Sequence, residues 1–340
     1  MVGFSVASEH TMRAIVRHRY GSADVLELAQ IDIPVPGDDE VLVRVHAASL
    51  NTADLDNLRG IPMAARAALG LFRPRNGRMG LDLAGTVQAV GAKVDRLQPG
   101  DEVWADMIAW RYGSFAEYVC APERVFALKP AAMSFEEAAT MPHSAVLALQ
   151  GLRGKGGINP GDKVLVNGAG GCVGPFAVQI AKSFGAEVTG VDSAEKLDLI
   201  RSVGADHVID YTREDFTRGG QRYDFVLDIA GSRSVLRYRR VLSPSGRFVL
   251  IAHSLAAYFQ AFILGAWVSM TSHQRMGNPS WHPSRREDLD LLGRLFETGQ
   301  LKPVIDSRFP LSEVPDALRR LESGRARGKI VITVTEDGET

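Results

Sequence analysis

Residues 167–174 read Asn-Gly-Ala-Gly-Gly-Cys-Val-Gly and follow an apolar, β-branched run, Lys163 to Val166. Within them Ala169-x-Gly171-x-x-Gly174 is a variant of the triple-glycine spacing that lets bare backbone approach a pyrophosphate. Gly170, Cys172 and Val173 complete the loop. Pro175 suits a first helical turn, because its missing N–H is not needed there. The helix predicted from Pro175 to Phe184 is closed by Gly185, and a second strand, Glu187 to Val191, ends on Asp192. An acid about 20 residues beyond the glycines lies where a ribose hydroxyl would be. A glycine turn alone can serve only the fold. The order strand, turn, helix, strand, acid points to a dinucleotide, bound through helix N-terminal amides, and so to hydride transfer.

Other residues have chemistry to offer and a plainer use beside it. Asn51-Thr52-x-Asp54 carries an amide and a carboxylate, and it also resembles a helix start. His143 has an unperturbed pKa near neutrality and can donate a proton, or it can simply pack after Pro142. Cys172, at a helix N-terminus, has a thiol whose pKa can fall there, or it is a small side chain that fits.

Composition narrows the partners. The chain has 340 residues, long enough for two domains, and a formal net charge of −1. No basic stripe suggests nucleic acid. The two cysteines cannot build a disulfide framework or a four-cysteine zinc lobe, which fits a reducing cytoplasm. The first eleven residues lack a basic start and an apolar core, so no secretory leader is read there. The most apolar stretch, Leu255 to Met270, is short for a membrane span and reads as a buried or interfacial helix.

The elements that must position these residues fall into two kinds. Strands are predicted at Met12–Val16, Val25–Ala29, Glu40–Ala47, Leu83–Val90 and Glu102–Ala105, separated by Gly, Pro and Asp turns, as in an antiparallel barrel. Ser134-Phe135-Glu136-Glu137 is a capping box. After it strands alternate with helices: strands at 164–167, 187–191, 207–210, 224–228 and 247–251, helices near 194–202 and 233–242. That alternation implies a parallel sheet with right-handed crossovers. Helices follow at Arg286–Thr298 and from Pro310 to Glu322. The terminal run Gly328 to Val334 is placed to rejoin the N-terminal sheet.

Ordered motifs over residues 12–335 resemble the zinc-free medium-chain dehydrogenase/reductases of the quinone oxidoreductase (zeta-crystallin-like) branch. They include VLVRVHAASLNTADLDNLRG, GLDLAGTVQAVGAKVDRLQPGDEVWA, GGINPGDKVLVNGAGGCVGPFAVQIAKSFGAEV and GQLKPVIDSRFPLSEVPDALRRLESGRARGKIVI. The resemblance implies an α/β fold, with a GroES-like β-barrel catalytic domain (1–136 and 284–340) and a doubly wound Rossmann cofactor domain (137–283). It also implies a homodimer. Zinc-dependent relatives carry a Cys where this chain has Asn51, and His-Glu where it has Leu81-Asp82. Leucine cannot ligate and an amide is a poor zinc ligand. An oxygen-rich site from Asp54, Asp82 and His143 is the rival reading.

Without a Lewis acid, reduction of a quinone or an α,β-unsaturated carbonyl by NAD(P)H is the expected chemistry, since the charge spreads into the product. A zinc-free alcohol dehydrogenase, a pathway-specific enoyl reductase and a cofactor-binding protein with little turnover are the alternatives. Asn51, Asp54 and Ser144 are the expected catalytic residues. Where family members often place a threonine, this chain has Leu147, so either Ser144 substitutes or the pocket is more apolar. Ser193, Lys196 and Tyr211 resemble NADPH-phosphate contacts, whereas Asp192 favours NADH. Lys329 completes the cofactor set. Segments 61–79, a lip over the cleft, and 253–282 are expected to set substrate size.

Overall fold

The computed structural model describes residues 10–334 apart from 64–65, 111, 252–254 and 284. The stretch read as lacking a leader therefore falls almost wholly outside the described residues.

The N-terminal half is antiparallel, as its alternating pattern requires. Strands β1 (Thr11–Arg17) and β2 (Leu26–Asp32) pair in a hairpin, with a 3-10 turn at Ala23–Val25 capped by the Ser22 hydroxyl. That turn delays the second strand by one residue relative to the sequence pattern. Strand β3 (Glu40–Ser49) leads into helix α1 (Thr52–Arg59), and the short helix α2 spans Arg66–Leu69. Then come β4 (Asp82–Val90), β5 (Glu102–Asp106), β6 (Tyr118–Pro122) and β7 (Ala127–Leu128).

Helix α3 (Phe135–Ala139) starts on its capping box. Ser134 Oγ accepts the Glu137 N–H at 3.2 Å, and the Glu137 carboxylate accepts the Ser134 N–H at 2.9 Å. Helix α4 (Ser144–Arg153) follows, almost wholly buried.

The second half alternates. Strand β8 (Lys163–Asn167) feeds α5 (Gly174–Ser183), then β9 (Glu187–Asp192), α6 (Leu197–Ser202), β10 (His207–Asp210), β11 (Tyr223–Asp228), α7 (Val235–Tyr238) and β12 (Leu242–Leu250). The helix expected over 233–242 is only α7. The chain turns at Val241 and Leu242 already pairs with Tyr223, so strand pairing overrides the local helical signal. After β12 come α8 (Leu255–Thr271) and an unforeseen short edge strand, β13 (Arg275–Gly277). The sheet is parallel in the order β10-β9-β8-β11-β12-β13, doubly wound about β8.

Helix α9 (Arg286–Glu297) leads to β14 (Ile305–Pro310), α10 (Val314–Glu322) and β15 (Lys329–Thr333). Strand β15 pairs antiparallel with β3, returning the C-terminus to the first sheet. One buried apolar cluster runs from Ala47, Ala84, Trp104 and Val331 through α3 and α4 to Val164, Val166 and Phe176. The two sheets therefore share packing at the seam where the site lies.

Helix α8 packs Ala261 and Val268 inward and leaves Phe259, Phe262, Ile263 and Met270 exposed. Among the described residues, no helix is long and apolar enough to cross a membrane.

Candidate active site

The chain order changes direction between β8 and β11, and at that switch point a crevice opens above the strand ends. A cavity of about 390 Å³ lies there, bordered by Gly168, Gly171, Cys172, Val173, Asp192, Ser193, Lys196 and Tyr211. Helix α5 begins at the loop, where Gly171, Cys172 and Val173 border the cavity, and among the described residues no side chain caps its N-terminus, which leaves first-turn amides available to an anion.

The glycines divide by task. A Cβ on Gly174 would lie 2.3 Å from the Gly168 carbonyl oxygen, so this glycine lets α5 sit close on β8. A Cβ on Gly170 would meet Lys196 at 2.6 Å and Asp192 at 3.2 Å. A Cβ on Gly171 would meet nothing nearer than 3.7 Å, so what it would obstruct is the cavity itself. Ala169 is buried beneath the loop and faces Gly190. The arrangement fits a pyrophosphate.

Asp192 holds this loop as well as bordering the cavity. Its carboxylate accepts the Gly170 N–H at 2.8 Å and the Ser193 N–H at 2.9 Å. Lys196 gives its ammonium to the Gly324 carbonyl at 2.9 Å, across the mouth of the cavity. Tyr211 is half exposed. Sequence reasoning missed Arg233, a second cation on the cavity wall, which pairs with Asp215 at 3.1 Å and lies over the Phe216 ring. Nothing in its local sequence marks it; the loop after β11 brings it in. Burial pushes the Cys172 thiol up, outweighing the cations Lys329 and Lys196, so of the two readings of this residue the environment favours the small side chain that fits over the activated thiol.

Asn51, Ser144 and Lys329 converge, on one another. The buried Lys329 ammonium reaches Asn51 Oδ1 at 2.6 Å, Ser144 Oγ at 3.1 Å and Asp82 Oδ2 at 3.3 Å. The Ser144 hydroxyl donates to Asn51 Oδ1 at 2.9 Å, and Asn51 Nδ2 donates to Asp82 Oδ2 at 2.9 Å. The Asn51 N–H donates to the buried Asp54 carboxylate at 2.8 Å. Burial raises the Asp54 carboxyl to about 7, helped by the charge of Asp82 and opposed by Lys329 and His143. Its Oδ1 has no partner among the described residues.

Asn51, Asp54 and Ser144 do not border the cofactor cavity or the smaller pocket beside it, and Lys329, expected on the cofactor, anchors this network from β15. The reason is burial: each has its polar atoms drawn into the seam between the sheets, where an unpaired one would be costly. Leu81, at the position of a metal ligand in zinc-dependent relatives, is wholly buried.

That smaller cavity, of about 160 Å³, is bordered by Ala53, Ile108, His143, Leu147, Ile251, Tyr258, Pro279 and Trp281. Thr52 borders the first cavity and Ala53 the second, so they abut at the first turn of α1. Ser144 turns away to Asn51 while Leu147 faces this space, making the pocket apolar. Segment 253–282 supplies its outer wall. The described residues of segment 61–79 are not among those bordering it: Arg73, Arg75 and Arg78 border a different hollow, beside β1 and β2.

Comparison with known proteins agrees with this architecture. Residues 37–131 match the alcohol dehydrogenase GroES-like domain family, and residues 203–332 the zinc-binding dehydrogenase family. A 2-methylene-furan-3-one reductase of Solanum lycopersicum is 34% identical over 96% of this chain and 80% of its own length. A chloroplastic NADPH-dependent alkenal/one oxidoreductase of Arabidopsis thaliana is 34% identical over 94% of this chain and 79% of its own. The solved quinone oxidoreductase of Coxiella burnetii superposes with a TM-score of 0.86 at 30% identity, covering 96% of this chain and 100% of that one. The chain belongs to the medium-chain dehydrogenase/reductase family and is an NAD(P)H-dependent oxidoreductase.

Proposed function

We propose that the protein reduces a quinone or an α,β-unsaturated carbonyl with NAD(P)H, without zinc. The observation that carries the reading is the buried Lys329 ammonium 3.3 Å from Asp82, beside Asn51 and Leu81. A divalent cation brought there would meet a fixed positive charge, an amide already bonded at both ends and an alkyl side chain. An acceptor whose negative charge delocalises needs no such cation.

In this reading residues 168–174, Asp192, Ser193, Lys196 and Tyr211 hold the cofactor, which supplies the hydride. Asn51, Asp54, Ser144 and Lys329 are positioning residues that fix the first turn of α1, from which Thr52 and Ala53 border both cavities. The apolar pocket takes the acceptor beside the nicotinamide end. Asp192 suits a free ribose and Lys196 with Arg233 suits a phosphate, so the balance between NADH and NADPH rests on these three.

The division of the chain at 136/137 and 283/284, a homodimer and a cytoplasmic location belong to the same proposal. Sedimentation of the purified protein tests the dimer and cell fractionation the location.

The test of function follows NADH and NADPH oxidation against a quinone, a 2-enal, an enoyl thioester and a simple ketone, with and without chelator. Turnover of the quinone or enal that survives chelation supports the reading. Turnover abolished by chelator, or confined to the ketone, overturns it.

A further inference from the structure

Among the described residues, His143 is the one imidazole on the wall of the apolar pocket, and it is held as a proton donor would be. It is 4% exposed, at the N-terminus of α4. Its Nδ1 lies 2.9 Å from the buried Asp106 carboxylate, whose other oxygen accepts the Ile108 N–H at 2.9 Å. Its own backbone N–H donates to Asp82 at 2.9 Å, which fixes the residue's position. The Trp281 ring meets the imidazole edge-on, with centroids 5.7 Å apart. With Nδ1 committed to Asp106, Nε2 is the nitrogen left for a ligand in the pocket. The remaining pocket wall is Ala53, Ile108, Leu147, Ile251, Pro279, Trp281 and the Tyr258 phenol.

We propose that His143, oriented by Asp106, protonates the acceptor after hydride transfer. The inference rests on the function proposed above. Bound NAD(P)H would supply the hydride, its own C–H bond breaking to leave NAD(P)+ as a C–H bond forms at the electrophilic carbon of the acceptor. The π pair of the acceptor then moves to its oxygen, as enolate or hydroquinone monoanion. The His143 Nε2–H bond breaks as the new O–H bond forms. Imidazolium becomes neutral imidazole, still donating Nδ1–H to Asp106, and regains its proton from solvent. In an apolar pocket the enolate or hydroquinone oxygen has few other donors, so a proton from His143 favours the transfer.

The charged and titratable groups facing His143 agree on the state required. Asp106 and Asp82 favour the imidazolium and Lys329 opposes it, as does burial; Asp54 and Tyr258 are the further titratable neighbours. The net direction is upward, which keeps the acid form populated near neutral pH. The acid is therefore present at low pH and lost as pH rises through the raised value.

The test compares the wild-type enzyme with His143→Gln and His143→Ala, using a 2-enal and NADPH. Cofactor affinity is followed separately by fluorescence titration. Loss of a general acid is expected to lower kcat about 100-fold, with cofactor affinity unchanged and the alkaline fall of kcat abolished. Added imidazole is expected to restore part of the rate in His143→Ala, with a pH dependence of its own. A kcat for His143→Gln within about threefold of wild type, or an unchanged alkaline limb, overturns the inference while leaving the proposed function intact. A wild-type enzyme that reduces no conjugated acceptor overturns both.

Discussion

Replacing Asp54 by asparagine should make stability depend on pH in a way the structure fixes in advance. The Asp54 carboxyl is 0% exposed, and burial raises it from 3.8 to about 7. A raised carboxyl stabilises the fold fully below its unfolded value, and that contribution is lost as pH rises to the folded value. Each unit is worth about 1.4 kcal/mol, so the wild-type fold gives up about 4 kcal/mol between pH 4 and pH 8 on account of this group.

The side chain introduced by Asp54→Asn cannot ionise. Its carbonyl oxygen can still accept the Asn51 N–H, while its amide N–H₂ lacks an acceptor and costs about 1–3 kcal/mol at every pH. The variant is therefore expected to be less stable than wild type near pH 4 and equal or more stable near pH 8. The difference between the two should swing by about 4 kcal/mol, whatever the fixed amide cost. Urea unfolding of both proteins at half-unit pH intervals measures it. A difference that stays constant from pH 4 to pH 8 refutes the reasoning, because it would mean Asp54 titrates alike in the folded and unfolded chains.

Three further outcomes follow from the same geometry. Lys329→Met leaves Asp82 buried without its cation and should cost about 3–5 kcal/mol, largely recovered when Asp82→Asn is added; chemical denaturation of the single and double variants decides it. Gly171→Val should weaken NAD(P)H binding at least tenfold in a fluorescence titration while leaving the melting temperature within a few degrees, whereas Gly174→Val should lower the melting temperature sharply, since its Cβ has no room against the backbone of Gly168 and Ala169. Asp192→Asn keeps an acceptor for one of the two loop amides, Gly170 or Ser193, but removes the charge that repels a 2′-phosphate, so the ratio of kcat/KM for NADPH over NADH should rise; an unchanged ratio assigns the choice to Lys196 and Arg233.

Much of this fold was legible because its signals are local. The capping box at Ser134, the glycine loop ahead of Pro175 and the alternation in Glu40–Ala47 each fix a few residues' backbone without help from elsewhere. The return of Lys329–Thr333 to the first sheet was legible from its β-branched run. What was not legible depends on contacts distant in sequence. The helix expected over 233–242 is cut short because Leu242 pairs with Tyr223. Strand β13, three residues long, carries too little pattern to be seen.

The site divides the same way. The cofactor loop lies within one βαβ unit and its spacing is visible. Asn51, Asp82 and Lys329 meet because β3, β4 and β15, far apart in sequence, are neighbours in one sheet, and Ser144 joins them from α4, so the sequence could name them without revealing that they bind each other. His143 looked like a residue that merely packs, because Asp106, which gives it a direction, comes from β5. Segment 61–79 reads as a lip over the cleft, and its Arg73, Arg75 and Arg78 border a different hollow.

The central claim is hydride transfer to a conjugated acceptor at a site whose buried cation is a lysine. The most direct measurement is steady-state reduction of a 2-enal and of a quinone by NADPH and NADH in metal-free buffer, with metal content determined on the same sample. Turnover with less than about one-tenth of an equivalent of bound zinc is the predicted result. Activity that tracks zinc content from preparation to preparation would contradict it.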